Sequence, residues 1–485
     1  MSTSDIIWLL VQVIGSLALF LFGMKYMSEA LQRFAGQGMR NVLASFTSNR
    51  FKSILTGAFV TTVIQSSSAT TVMVVSFVNA GILKLRNAIG VIMGANIGTT
   101  MTAWIITLFG LKFDISAFAI PVIGAGFICM MLNKIKINQV GEFLVGFGIL
   151  FLGLTFLKNT ISDLDLQNSE AVRNIIAACV SDGNAHIGHV LLFLLIGTIL
   201  TTILQSSSAT MALTIVLCSE GVIPLELAVA LVLGENIGTT ITANIAAAIG
   251  NSTAKRAARA HLLFNTIGVL WILVVFRLVM PFINFLTISI EGVSPYVSAA
   301  AVPVALSLFH TLFNIMNTSI LVWFVPQIEK LTSLMVQGSN EEDEVEYRLK
   351  YINTGFMNVG EVSIELAKKE IGEFAKRMVR MYNFIPDLMK MKQNSKEYKP
   401  LLSRVQHYEE ISDRMEIEIA DYLDKIRSES ISGDSSLRMR GMLRIVDNLE
   451  SIGDQNYQLA KMIDDRNNAG VHFSEELEKN LSGIF

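Results

Sequence analysis

Charge is scarce in this chain. Only 16% of its 485 residues are Asp, Glu, Lys or Arg, against 52% hydrophobic ones, which excludes an ordinary soluble globule and points to a membrane protein. The scarcity is uneven: uncharged runs fill residues 1 to about 330, whereas from Asn340 onward acidic and basic residues recur every few positions. One part in lipid and one in water follow. A basic excess is missing too, since the formal net charge is -3 and no Lys/Arg block occurs, so nucleic acid is not an expected partner. Cysteine is limited to Cys129, Cys179 and Cys218, odd in number and widely spaced, which indicates neither a disulfide framework nor a zinc site. The opening MSTSDIIWLL has Asp5 where a basic n-region would stand, so no cleavable signal peptide is expected and the first apolar segment reads as a retained span.

What the chain does have is a repeat. Laid against itself, the chain aligns segment 61–110 on 201–250 without a gap, and 21 of 50 positions are identical. The identities concentrate in two polar patches, TT..QSSSAT and G.NIGTT.TA.I, where packing alone would keep only apolar character. Upstream, FLFGMKYM (20–27) echoes LFLGLTFL (150–157), pairing Gly23 with Gly153.

Apolar runs long enough to cross about 30 Å of hydrocarbon lie near 6–27, 86–110, 115–133, 139–157, 224–249, 260–282 and 300–325. The QSSSAT segments differ. From Ser53 to Ile64 there are 12 residues, about 18 Å of helix, before the polar cluster, which is the length of a re-entrant arm. With seven spans and two such hairpins, twelve Lys and Arg fall on one side and four on the other, which places the N-terminus outside and the charged C-terminal part in the cytoplasm. The two units then enter the membrane in opposite senses. The expected fold is an all-α polytopic membrane protein with inverted-topology repeats and two re-entrant helical hairpins, plus a soluble helical bundle. Its parts are a transport domain over 1–330 (repeat one about 6–133, repeat two about 139–282, an extra span at 300–325), a linker over 331–350 and a bundle over 351–485.

A helix broken in mid-membrane offers N–H groups to an anion at one end and carbonyls to a cation at the other. Ser66, Ser67 and Ser68, with Ser206, Ser207 and Ser208, add hydroxyls; Gln65 and Gln205 add amide oxygens suited to sodium. GANIGTT and GENIGTT contribute Asn96, Thr99 and Thr100, and Asn236, Thr239 and Thr240, with glycines expected to weaken the helix at its centre. Oxygen donors without thiolate or a histidine cluster argue against a transition metal. Close packing of small residues is the alternative for any single Ser or Thr. Glu235, which replaces Ala95 of the first copy, is expected to be a cation ligand or a partner of Arg256 or Arg259. HLLFN (261–265) and HTLFN (310–314) each place His and Asn on one helix face, where a packing role is favoured. No enzyme is expected, because neither cluster has a His or Asp at usable spacing and no G-x-S-x-G occurs.

With its paired QSSS and NIGTT segments and the His-x-x-Phe-Asn element, the expected transport domain resembles the type II sodium/phosphate cotransporter family. The resemblance implies that the two QSSS hairpins face each other and hold inorganic phosphate on Ser66–Ser68 and Ser206–Ser208. Sodium ions, the coupling ions, would lie at Gln65, Gln205 and the NIGTT residues, joined by Glu235 as the expected cation ligand, and no covalent cofactor is expected. Animal members carry an acidic residue just after the His, where Leu262 and Thr311 stand here. A sodium-coupled symporter of the bacterial plasma membrane follows, with a phosphate sensor, or a carrier of another small anion, as the alternative readings.

Beyond Asn340 apolar residues recur at three and four, as in Leu402, Val405, Tyr408, Ile411, Met415, Ile419, Tyr422 and Ile426, which predicts an antiparallel bundle. Pro386 and Pro400 are expected to bound a turn, and SGDSS (432–436) another. RIVDNLESIGDQ (444–455) resembles the acidic motif of PhoU-type domains, which implies a divalent metal at Glu409, Asp413, Glu450 and Asp454; a solvated acidic face is the alternative. Candidate partners, besides phosphate, Na+ and membrane lipid, are a second copy of the chain and a cytoplasmic regulatory protein.

Overall fold

The computed structural model describes residues 3–45, 49–79, 83–112, 116–132, 134–181, 184–248, 250–336, 349, 352, 360–391, 395, 397–427 and 433–471. It divides into two compact units, Met1–Gly338 and Ser339–Phe485. The first begins with α1 (Thr3–Ser45), α2 (Arg50–Ile64), α3 (Ser67–Asn79), α4 (Leu85–Ile105) with a π-helical extension Ile106–Lys112, α5 (Ser116–Met130), α6 (Ile135–Asp163) and α7 (Glu170–Cys179). A two-residue antiparallel ladder, β1 (Val180–Ser181) on β2 (Asn184–Ala185), leads into the second half. That half comprises α8 (Ile187–Leu204), α9 (Ser207–Ser219), α10 (Leu225–Gly238), α11 (Thr240–Ala247), α12 (Ser252–Val274), α13 (Phe276–Glu291), α14 (Val302–Leu321) and α15 (Val325–Met335).

Seven segments among the described residues are long and apolar enough to span a bilayer: Trp8–Phe34, Leu85–Leu111, Ile135–Asn168, Ile187–Leu204, Leu225–Ala247, Ser252–Val274 and Ala299–Met335. Large apolar side chains such as Leu55, Ile203 and Leu278 are exposed on the outside, as lipid contact requires and water would not tolerate in such number. The protein is an all-α, multi-pass membrane protein. Six of the seven coincide with the expected spans. The seventh does not: 115–133 is the shorter α5, while α8, expected as a half-span arm, has 18 residues, about 27 Å. The arm length comes from the first copy. There Asn49 caps α2 by accepting from the Lys52 N–H at 2.9 Å and holds it to 15 residues, whereas His186 gives α8 no side-chain cap.

Glycine sets the helix spacing in both copies alike. A Cβ on Gly57 would strike the Val91 carbonyl and one on Gly94 the Ile54 carbonyl; in the second copy Gly197 meets Leu231 and Gly234 meets Leu194. Each QSSSAT arm therefore lies parallel to, and in backbone contact with, the following GxNIGTT helix, α2 on α4 and α8 on α10. Helices α1 and α6 meet differently. Gly23 faces Leu150, Gly153 faces Phe20 and Gly146 faces Met27, so the pair is antiparallel, and Arg33 pairs with Glu142 at 2.8 Å along the same seam. Exchanging Phe20 with Leu150 and Gly23 with Gly153 turns the first contact into the second. A local two-fold axis perpendicular to both helices relates them. Phe20, Leu150, Phe151, Leu154, Phe309 and Phe313 fill the interior beside this seam.

The second unit is a three-helix bundle of α16 (Gly360–Lys390), α17 (Tyr398–Arg427) and α18 (Gly433–Asn468). Phe384 packs edge-on to Tyr408, and Gly453 lies against Ser412, so successive helices run antiparallel. Val405, Ile411, Met415, Ile419 and Ile426 are buried as their spacing predicts, each contributing about 2 kcal/mol of burial. Pro386 does not bound the turn; it sits inside α16, which runs on to Lys390, and Pro400 lies in the first turn of α17 where no N–H is needed. Positions 337–348 and 350 of the expected linker and Ser432 lie outside the described residues.

Candidate functional site

Each QSSSAT stretch is a break between two helices, and the residue types dictate its form. Gln65 ends α2 and Gln205 ends α8 in the left-handed region, at φ 57° and 51°. That conformation costs about 1 kcal/mol for a residue with a Cβ and stops the helix. Ser66 and Ser206 then cap α3 and α9, their Oγ atoms accepting from the Ala69 and Ala209 N–H groups, both at 3.2 Å. The chain folds back at these points. Thr61 Oγ1 donates to Thr70 Oγ1 at 3.0 Å and Thr201 Oγ1 to Thr210 Oγ1 at 2.9 Å, atoms that a continuous helix would hold about 13 Å apart. Ser67 and Ser68, and Ser207 and Ser208, are thus the first two helical residues, whose N–H groups have no intrahelical acceptor. Amide and hydroxyl donors at the positive end of a helix suit an anion with several oxygens.

The glutamines differ between the copies. Gln65 is buried: its Nε2 donates to the Thr62 carbonyl at 2.6 Å, and its Oε1 accepts from Thr102 Oγ1 at 3.0 Å. Ser28 adds a bond from α1 to the Ile64 carbonyl at 2.7 Å. Gln205 is exposed, and Thr242, the counterpart of Thr102, has a buried hydroxyl oxygen without a hydrogen-bond partner.

Asn96, Thr99 and Thr100 lie on α4, with Asn236 on α10, Thr239 at the α10–α11 junction and Thr240 on α11; all six are buried. The Asn96 and Asn236 amides donate to the Ile92 and Val232 carbonyls at 2.9 and 2.7 Å, so the amide oxygens are what each offers a small hard cation. The glycines of this motif do not break α4, which runs straight through; only the second copy divides, at Thr239. Packing explains them, since Gly98 abuts Ala58 and Gly238 abuts Thr198. The copies interlock: α3 packs on α11, and α9 packs on α4.

Glu235 is fully buried on α10, and neither of its oxygens has a hydrogen bond. His310 Nε2 is 3.8 Å away. The arginines considered as partners are engaged elsewhere, Arg256 with the Val336 carbonyl at 3.1 Å and Arg259 with Asn244 at 3.0 Å. A buried carboxylate without donors is costly by several kcal/mol and calls for a cation or a proton. In both His-x-x-Phe-Asn elements the Asn donates to the His carbonyl one turn earlier, at 3.1 Å for Asn265 and 2.9 Å for Asn314. They sit on antiparallel helices, since Asn317 reaches the Phe264 carbonyl while Trp271 stacks on Phe313, so His261 and His310 lie at opposite ends of the pair.

In the second unit, Glu409, Asp413 and Asp454 each bring a carboxylate oxygen within 4.8 Å of the others. Glu450 is outside that triad. Partial burial, then the neighbouring carboxylates, raise the Glu409, Asp413 and Glu450 carboxyls above their ordinary range, with Asp454 acting on all three.

Sequence reasoning passed over the threonines that shape the tips. Thr61, Thr70 and Thr102, with Thr201, Thr210 and Thr242, are identical in the two copies, and that identity at buried hydroxyl positions is the signal that marks them.

Comparison with known proteins bears on the same region. The chain is 31% identical to the uncharacterized protein YqeW of Bacillus subtilis over 328 residues, 68% of this chain and 98% of that protein. It is 24% identical to the putative inorganic phosphate export protein YjbB of Escherichia coli over 479 residues, 98% of this chain and 82% of the relative. Over 103 residues it is 40% identical to the human sodium-dependent phosphate transport protein 2B, covering 20% of this chain and 15% of that one. No solved structure matches it significantly. A family model described as Na+/Pi-cotransporter matches residues 19–159 and 167–294, both helix-break clusters included, and the chain belongs to that family.

Proposed function

We propose that this protein is a secondary carrier that moves inorganic phosphate across the plasma membrane coupled to sodium, by alternating access around one midplane site. The observation that carries the reading is the doubled serine-capped helix start, Ser66–Ser68 and Ser206–Ser208, in two sequence repeats whose preceding helices α1 and α6 are related by a local two-fold axis. The first break serves as the tip of a re-entrant hairpin: Gln65 meets Thr102, well inside the 27-residue span Leu85–Leu111, so the tip stops short of the far side. The second break is read as its counterpart, because α8 lies along α10 as α2 lies along α4.

The chemistry fits a releasable anion. The donors are amides and hydroxyls, and neither QSSSAT cluster contains a Lys or Arg that would trap a dianion. Moving phosphate of charge -2 into an inside-negative cell costs about 4.6 kcal/mol per 100 mV. Two or three sodium ions bound with it cancel or reverse that cost. Gln65, Gln205, Asn96, Thr99, Thr100, Asn236, Thr239, Thr240 and Glu235 are the proposed sodium ligands, with Glu235 the one carrying charge. The N-terminus lies outside and the bundle in the cytoplasm, where it acts as a PhoU-like regulatory domain with a divalent metal at Glu409, Asp413 and Asp454, and Glu450 beside them.

Direction has a second reading. A coupled carrier runs as its gradients push, and the likeness to a putative phosphate export protein over nearly the whole chain, bundle included, favours net export under some conditions. The test is radiolabelled phosphate flux in proteoliposomes under an inward and then an outward sodium gradient. Flux that follows the gradient both ways supports the carrier. Phosphate binding without flux would point to a sensor, and equal flux without sodium would refute the coupling.

A further inference from the structure

The two hairpin tips share their backbone form yet differ in how they are held. Both glutamines keep the left-handed turn, and both cross-break threonine pairs are made, at 3.0 and 2.9 Å. The difference lies in one side-chain bond. Thr102 Oγ1 donates to Gln65 Oε1 at 3.0 Å, whereas in the second copy Gln205 is exposed and the buried Thr242 hydroxyl oxygen has no partner. An unpaired buried hydroxyl is unfavourable, so its persistence calls for a state in which it is satisfied.

The sequence register for that second bond already exists. Gly234 and Gly238 bring α10 against α8 as Gly94 and Gly98 bring α4 against α2, and Thr242 follows Gly238 by four residues as Thr102 follows Gly98, with the helix break at Thr239 between them in the second copy alone. The tips are also mechanically tied. Helix α3, leading from the first tip, packs on α11, which carries Thr242; helix α9, leading from the second, packs on α4, which carries Thr102. Movement of either hairpin is therefore felt by the helix holding the other hairpin's latch.

We infer that Thr102 and Thr242 are positioning residues that latch the two tips in alternation: this structure is the end state with Gln65 latched and Gln205 released, and the opposite end state exchanges the Thr102–Gln65 bond for a Thr242–Gln205 bond. This rests on the reading of the hairpins as the moving gates of the carrier. Removing one latch shifts the ratio of the two states by about fivefold, the worth of one buried hydrogen bond, toward the state held by the other latch.

Hydrogen exchange of the full-length protein, read on amides 61–71 and 201–211, tests it. In the wild type the first tip exchanges more slowly than the second. Thr102→Val raises exchange at the first tip about fivefold and lowers it at the second, Thr242→Val slows the first tip further, and Thr102→Ser keeps the wild-type pattern. A rise at the first tip with no answering fall at the second overturns the inference. So does a Thr242→Val variant, which loses no bond in this state and so folds, with both tips unchanged. Sodium-driven uptake by the same preparations separates the two readings: reciprocal exchange without uptake leaves the latches standing and removes the carrier, while uptake without reciprocity does the reverse.

Discussion

Thr61→Val and Thr201→Val isolate the hydrogen bond that folds each tip back on itself. Both threonines are wholly buried, so water does not replace the lost donor, and valine keeps the shape. Thr70 and Thr210 retain their own donation to the Ser66 and Ser206 carbonyls, at 3.0 and 3.3 Å, which leaves the helix starts capped. The net loss is one hydrogen bond, about 1 kcal/mol. If that energy holds the tip in its binding form, the competent fraction falls and the apparent KM for phosphate rises by up to about fivefold, with kcat little changed. Because the two bonds are alike in length, at 3.0 and 2.9 Å, the single variants have matching effects, and the double variant multiplies them to roughly 25-fold. Initial rates of sodium-driven phosphate uptake against phosphate concentration measure this. A Thr61→Val carrier with a raised KM beside a Thr201→Val carrier indistinguishable from wild type would refute the idea that both tips serve the substrate equally.

Glu235→Gln removes the one buried carboxylate among the proposed sodium ligands; uptake at saturating phosphate then requires at least tenfold more sodium, whereas an unchanged sodium dependence removes Glu235 from the site. Gly94→Ala drives a methyl group into the Ile54 carbonyl, while Gly124 has nothing within 4 Å, so the first variant loses several degrees of thermal stability and Gly124→Ala loses none. In the second unit the raised carboxyls of Glu409, Asp413 and Glu450 bind protons more tightly folded than unfolded. Their contribution is fully present below the ordinary carboxylate range and is lost as pH rises through the shifted values, so exchange protection across α17 and α18 increases on mild acidification. A divalent cation at neutral pH gives the same protection by neutralising the triad, and Asp454→Asn abolishes that response.

The membrane architecture was largely legible because lipid enforces it: a span must be apolar and about 20 residues long, and six of the seven appear as runs in the sequence. The short arm expected of the second hairpin failed where length is set locally, by the Asn49 cap on one arm and its absence on the other, and the run at 115–133 forms the 15-residue α5. The serine clusters were visible because polar identity survived in two copies. Their geometry was not: that Gln65 takes a left-handed turn, that the first serine caps, and that Thr61 reaches Thr70 depend on the chain reversing at that point. Glu235 stood out as an intramembrane acid, but its neighbour, His310, comes from α14, far along the chain from α10, and no local pattern links them. Pro386 misled because a proline near the end of an amphipathic helix removes one backbone bond without halting the apolar stripe that buries Ile385 and Leu388.

The central claim is a single phosphate site built from both repeats, and binding stoichiometry tests it most directly. Equilibrium binding of radiolabelled phosphate to the purified protein in sodium should saturate at one phosphate per chain, and either Ser67→Ala or Ser207→Ala alone should weaken that whole signal at least tenfold. Two phosphates per chain, with each serine variant abolishing one and sparing the other, would contradict it.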